Sequence, residues 1–410
     1  MEPHSLMNDT RRRRCQSYYW WEGAPASYPV FKARMLKDYP QAHHCINALL
    51  PVGFASADVG LGGAITTLGS INAYLNTNPQ HWARRARQWS QLLTPTPLHR
   101  TLYEAALRES AELLFDAWQA SEAMRGWVAV EIEPSEYHSA AGTLRRAREL
   151  ANLMPNIMVS VPLSEMGCEV IEELVATGHA VNASLCFSVA QLRAGLAAIR
   201  RGRQRALSQG VCLKRTRHLI SVTSAGLMTH PEFKVQAAQF GIELSAIEQR
   251  WAEIALFRAL RGAMLGCNEA TWLMVSSLVP GPQTVLAMGR PAKGSSQDPV
   301  LYSAGERQVE TLIRTGVDTG AAANQDLADV PVDIMQRLLR IPAFRQVWGS
   351  DSLASACFAR HPVFLQNIAQ SLRAYTRLLG FARQVSPLSL GTAFSANLPL
   401  KAGASPARNS

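Results

Sequence analysis

The chain has 410 residues, 47% hydrophobic and 18% charged, enough to bury one large α/β domain with a helical appendix or two modest domains. Its formal charge of +10 is carried almost wholly by arginine, in runs at Arg11–Arg14 and at Arg200, Arg201, Arg203 and Arg205, without the interleaved aromatics or the module of a nucleic-acid binder. Seven scattered cysteines with no Cys-x-x-Cys spacing argue against a disulfide framework or structural zinc, and no segment approaches the ~20 apolar residues of a membrane span. The first arginine run leads into CQSYYWWEG rather than an apolar leader stretch, so a cytoplasmic protein with no membrane or nucleic-acid partner is expected.

In chain order, residues 1–28 read as an irregular segment with an aromatic cluster at Tyr18–Trp21. Apolar, strand-like runs then alternate with amphipathic helices. AITTLGS (64–70) precedes a helical insert over 73–124, and WVAVEIEP (127–134) precedes GTLRRARELANLM. NIMVSVPLS (156–164) precedes EMGCEVIEELVATG, and AVNASLCF (180–187) precedes SVAQLRAGLAAIRRG. HLISVTSAG (218–226) precedes a long helical stretch over 233–278, followed by TVLAMGRP (284–291) and VETLI (309–313). Residues 330–385 are helical again and are expected on the outside, and the tail from Leu390 looks frayed. Strands alternating with helices imply a parallel sheet of βαβ units, and this number of them predicts a closed (β/α)8 TIM barrel. The expected division is an irregular segment at 1–28, the barrel at 29–328, a helical extension packed on it at 329–389 and a flexible tail at 390–410.

In such a barrel inward residues alternate along each strand, and the reactive end lies at the strands' C-terminal ends. On strand three Glu131 and Glu133 are expected to share a face, and on strand five Asn182, Ser184 and Cys186 another. Polar groups inside apolar strands are costly unless satisfied or functional, so Glu131, Ser160, Asn182, Ser184 and Ser224 form a candidate inward layer. Glu131 is the candidate general acid/base, because a carboxyl in an apolar barrel has a raised pKa. Ser160 is a candidate to orient substrate or relay a proton, and Cys186 a candidate nucleophile or binding residue. His230 follows strand six at the pocket's mouth. His138, His230 and Glu131 could meet at a metal, but no His-x-His or His-x-x-x-His spacing supports one, so no metal is expected. GLGG at 60–63 lacks the strand–GxGxxG–helix context of a dinucleotide site, so no cofactor is expected.

The block 126–190, EIEPSEYHSAAGTLRRARELANLMPNIMVSVPLSEMGCEVIEELVATGHAVNASLCFS at its heart, resembles the transaldolase family in the order and spacing of strands three to five. The likeness continues more weakly through HLISVTSAG, PQTVLAMGRPAKGSSQDPVLY and AITTLGS. The resemblance implies a class I aldolase barrel, in which a strand-four lysine forms a Schiff base with a ketose phosphate. A strand-three Glu and a strand-one Asp then move protons through a water. The family's strand four reads roughly Ile-Lys-Ile-Pro-Ala-Thr, and here the aligned residues are Val159 to Ser164. Ser160 stands at the lysine's position, and a hydroxyl cannot form an iminium. Glu131 matches the family's acid/base, and Asn182 and Ser184 match its Asn and Thr on strand five. Leu68 and Gly69 replace the Asn-Pro of the strand-two motif, and Met228, Thr229 or His230 occupies the place of the phosphate-binding arginine. Glu22 and Asp58 are rival equivalents of the strand-one Asp. Lys293 fits a lysine of the loop after strand seven, Arg290 could supply a substitute anion contact, and Lys234 or Lys293 could replace the missing amine.

Two functions therefore stand open: an enzyme using lysine-independent carbonyl, condensation or lyase chemistry on a small molecule other than a sugar phosphate, and a barrel kept as a binding scaffold. An open polar pocket around Glu131 would favour the first. A pocket plugged by Leu68, Met228 or Met288 would favour the second. A homodimer is left open.

Overall fold

The computed structural model describes residues 19–42, 62–90, 97–223, 227–228, 230–264, 270–276, 300–306, 309–310, 314, 330–349 and 353–386. Eight parallel strands close into one barrel in sequence order. They are β1 Tyr19–Glu22, β2 Gly63–Thr66, β3 Trp127–Glu131, β4 Ile157–Pro162, β5 Val181–Cys186, β6 His218–Thr223, β7 Thr271–Ser276 and β8 Val300–Ala304. The barrel predicted from the alternating pattern is thus present, with three departures.

The first strand, YWWE, lies inside the segment expected to be irregular, so the barrel starts at Tyr19 rather than beyond residue 28. Four residues with no polar alternation carry no periodic signal; the sheet supplies it, with Trp20 facing the barrel interior and Trp21 the surrounding helices. The seventh strand, TWLMVS, falls at the end of the stretch expected to be helical. A six-residue apolar run is equally compatible with a buried helix or strand, and pairing to β6 and β8 decides it. The eighth strand is Val300–Ala304, and Val309 of the expected VETLI strand is helical instead. TVLAMGRP (284–291) lies outside the described residues.

Helices flank the strands: α1 Tyr28–Asp38, α2 Leu68–Thr77, α3 Pro79–Ser90, α4 Leu98–Ala120, α5 Ala140–Ala151, α6 Glu165–Ala176, α7 Val189–Ser208, α8 Pro231–Gln239 and α9 Ala246–Met264. After β8 come α10 Val332–Leu338, α11 Pro342–Trp348 and α12 Pro362–Val385. No helix among the described residues is long and apolar enough to cross a membrane.

The apolar core is in two bodies. One lies between the strands and the helices and includes Val128, Val130, Val159, Val161, Ile220 and Val222. The other fills the N-terminal half of the barrel with Trp20, Trp127, Trp272, Met158, Leu219 and Met274. Gly63 makes room for it: a Cβ there would come within 2.5 Å of the Trp127 carbonyl and 2.8 Å of the Trp20 ring. Successive residues of one strand therefore serve two different cores, and the opposite, C-terminal half of the interior is left to polar side chains.

Candidate active site

The inward phase of β3 runs Trp127, Ala129, Glu131, and register carries the last position to its neighbours: Glu131 pairs with Ser160, and Ser160 with Asn182. Asn182 Nδ2 donates to Ser160 Oγ at 3.0 Å, and Ser221 Oγ donates to Asn182 Oδ1 at 2.7 Å. One hydrogen-bonded row thus crosses β4, β5 and β6, and Ser160, Asn182 and Ser221 are all buried. Among the described residues Ser221 completes it. Inward positions of β6 are the odd ones, because Leu219 faces the interior while Ile220 and Val222 face the helices. That alternation was legible in HLISVTSAG; Ser224 lies outside the described residues, as do Asp58, Met288, Arg290 and Lys293.

Glu131 is held from two sides. Its Oε2 accepts the Leu68 N–H at 2.8 Å, at the first turn of α2. First-turn N–H groups lack intrahelical partners, and the helix N-terminus favours a negative charge. Its Oε1 accepts the hydroxyl of Ser371 on α12. Burial pushes the Glu131 carboxyl above the ordinary carboxylate range, and the bonds from Ser371 and Leu68 oppose that rise. Tyr103, fully buried on α4, fixes the strand end by donating to the Glu131 carbonyl at 2.6 Å. Helix α12 therefore reaches the site itself, where residues 330–385 were expected only on the outside.

On the other side of the barrel Glu22 ends β1 on the inward phase, and Ser303 of β8 donates to its Oε1 at 2.5 Å. The sequence left Glu22 and Asp58 as rivals; the strand contains Glu22.

Three expected site residues sit elsewhere. Glu133 does not share the Glu131 face, because β3 ends at Glu131 and the chain turns into a short 3-10 helix. Its carboxylate is fully buried and gripped twice by Arg146, from Nε at 2.9 Å and Nη2 at 2.7 Å. Arg146 also reaches Glu104 and Glu149, which ties the β3 loop to α4 and α5. Cys186 leaves the Asn182/Ser184 face because β5 bulges: between Ala183 and Cys186 the pairing to β6 shifts, and Leu185 adopts φ +57°. Cys186 consequently packs in the outer core, where burial pushes its thiol up to about 12, a poor nucleophile. His230 caps α8, accepting the Glu232 N–H at 3.2 Å, and shares a narrow cleft with His361 and Gln236.

Ser184 keeps the inward phase beside Pro162 and is half-buried. Lys234 is exposed on α8. His138 is exposed, with Nδ1 2.9 Å from the Ser135 carbonyl. Among the described residues no group of three or more His, Cys, Asp or Glu side chains converges as metal ligands would. Leu68 and Met228 are buried in the outer core, so neither side chain fills the barrel's interior.

Residues 81–222, which include β3 to β6 with Glu131, Ser160, Asn182 and Ser221, match the family described as Transaldolase/Fructose-6-phosphate aldolase. Among curated proteins the chain is similar to Transaldolase 1 of Streptomyces coelicolor, with 32% identity over 243 residues covering 56% of this chain and 59% of that one. It is also similar to the transaldolase of Thiobacillus denitrificans, with 28% identity over 168 residues covering 40% of this chain and 47% of that one. A third relative is Transaldolase 2 of Streptomyces avermitilis, 26% identical over 140 residues, 34% of this chain and 38% of its own. The matched region spans less than two thirds of each of these relatives. A closed parallel barrel whose polar strands are the matched ones, with curated transaldolases as relatives, makes this chain similar to the transaldolase family over those strands.

Proposed function

We propose that this barrel is an enzyme that activates a carbonyl substrate by hydrogen bonding and proton transfer, without a Schiff base at position 160. The observation that carries this reading is the direction of the polar row. Ser221 donates to Asn182 and Asn182 to Ser160, and no described acceptor takes the Ser160 hydroxyl proton. That proton is available to a substrate oxygen, and donors in a chain polarise one another. Glu131, paired in register with Ser160, then removes or returns a proton at the carbon beside the carbonyl. The electrons of the broken C–H bond move to the oxygen, where the Ser160 hydroxyl stabilises the resulting enolate. Glu22, on the inward phase at the end of β1, is a second carboxylate at the C-terminal ends of the strands.

The position of Ser160, and the absence of an arginine among Met228, Thr229 and His230, favour a small substrate other than a sugar phosphate. Condensation or lyase chemistry in specialised metabolism fits this polar row, and the unpaired cysteine pattern fits the cytoplasm. A second reading has one specific support: both Glu131 oxygens already accept protein donors, Leu68 N–H and Ser371, as in a purely structural carboxylate of a scaffold. Glu131→Gln separates the two. Gln keeps the volume but exchanges no proton, and positioned acid/base catalysis is worth about 10²- to 10⁴-fold. In a deletion strain scored by product profile, folded Glu131→Gln protein is expected to fail. Full complementation would transfer the assignment to the scaffold.

A further inference from the structure

At the N-terminal end of the barrel, opposite Glu131, lies a cavity of about 400 Å³ between the loops that lead into β4, β5 and β6. Ligand pockets of globular proteins begin at about 300 Å³. One wall is apolar, formed by Trp118, Trp127, Pro155 and Ile157, and the rim carries Lys214 and Arg215. No carboxylate lines it. Lys214 and Arg215 are exposed and have no ion-pair partner among the described residues; the Arg215 guanidinium lies 5.6 Å from the centre of the Trp118 ring. Trp118, which lines this wall, is buried and its indole N–H has no hydrogen-bond partner.

The surroundings keep the same sign. Arg217 donates to the Lys214 and Thr216 carbonyls, at 3.1 and 3.0 Å, and so to no anion. Arg203 has a buried Nη1 without a partner, and neither ring nitrogen of the buried His218 has one. Burial, with the nearby Arg203 and Arg217, pushes His218 down to about 3. Lys214, Arg215 and the neighbouring Arg217, with no carboxylate in the cavity's lining, give it a positive potential, and an anion would be drawn to it.

We propose that this cavity is a second ligand site, taking a small aromatic anion such as an aryl carboxylate or aryl phosphate. The ring lies against the Trp118 and Ile157 wall, and the anionic group meets Lys214 and Arg215. The site is separate from the reaction chamber, since strand β3 runs from Trp127 at this end to Glu131 at the other.

Cys212 gives a direct readout, because it lines the cavity and is exposed, while Cys357 is exposed on the short helix before α12 and serves as an internal reference. Iodoacetamide labelling of the full chain is followed peptide by peptide with benzoate or phenyl phosphate present. At ten times the probe's Kd, labelling of Cys212 is expected to slow about tenfold with Cys357 unchanged. Benzyl alcohol and inorganic phosphate, each holding half of the recognition, should protect far less at the same concentration. Lys214→Glu combined with Arg215→Glu should abolish the protection; Lys214→Gln, a single exposed change, should weaken it if the double variant does not fold. Unchanged Cys212 labelling at millimolar probe overturns the proposal. So does equal slowing at Cys357, equal protection by benzyl alcohol, or full protection in the folded charge variants.

Discussion

Ser371, in the middle of the last helix, donates its hydroxyl to the carboxylate of Glu131, 240 residues earlier on strand β3. This contact makes α12 a part of the site. It also acts on proton affinity, because a hydrogen bond to the ionised carboxylate stabilises it against the burial that raises its pKa.

Ser371→Ala should therefore raise the Glu131 pKa further, so that the carboxyl stays protonated to higher pH. Isotope-edited infrared titration of the carboxyl band, assigned by its loss in Glu131→Gln, reads this without knowledge of the substrate. The expected outcome is an upward shift in the variant, with a stability loss of about 1 kcal/mol for the missing bond. An unmoved titration would mean that Ser371 does not bond Glu131 in solution.

Ser160 at the position of the family's lysine predicts no turnover of fructose 6-phosphate with erythrose 4-phosphate. Borohydride trapping with a ketose phosphate, read by intact mass, should give no stable adduct. Ser160→Lys alone should not restore the reaction, since orientation of substrate contributes up to about 7–11 kcal/mol and the family's strand-two Asn-Pro pair and phosphate arginine are also replaced. An adduct on Lys234 or Lys293 would refute the first statement, and brisk turnover by the single variant the second.

Arg146 and Glu133 are both buried, 1% and 0% exposed, so removing one strands the other's charge. Arg146→Leu should destabilise the fold by about 3–5 kcal/mol in urea unfolding at neutral pH. Glu133→Gln, whose single amide oxygen keeps one of the two bonds while Glu104 and Glu149 still pair with the arginine, should cost less. Equal stability of Arg146→Leu and the parent protein would show that the network has no net structural weight.

His218 is neutral in the folded chain, its pKa depressed to about 3 by burial and by Arg203 and Arg217. The unfolded chain takes up this proton near pH 6.5, so the stability linked to His218 is complete above that pH. It is lost progressively as pH falls from about 6.5 toward 3. At about 1.4 kcal/mol per tenfold change in proton affinity, the full penalty is on the order of 5 kcal/mol. His218→Leu should lose less melting temperature than the parent between pH 6.5 and 4, and parallel losses would contradict the assignment.

Much of this protein was legible in its sequence because the relevant patterns are local. Inside/outside alternation in WVAVE, IMVSV and VNAS is a property of neighbouring residues, and it placed Glu131, Ser160 and Asn182 on one interior face. The serine at position 160 is also a fact of the sequence alone. What the sequence could not decide depends on partners distant along the chain. YWWE, TWLMVS and VLYSA are strands only because neighbouring strands offer them hydrogen bonds. Cys186 turns outward because of a bulge set by pairing with β6, and Glu133 turns away from the site because Arg146 waits on α5. Ser371 meets Glu131 only after the whole barrel has closed and α12 has folded against α2 and α4. Period-two patterning fixes which face a side chain takes within a strand; which group it then meets is decided by closure of the barrel.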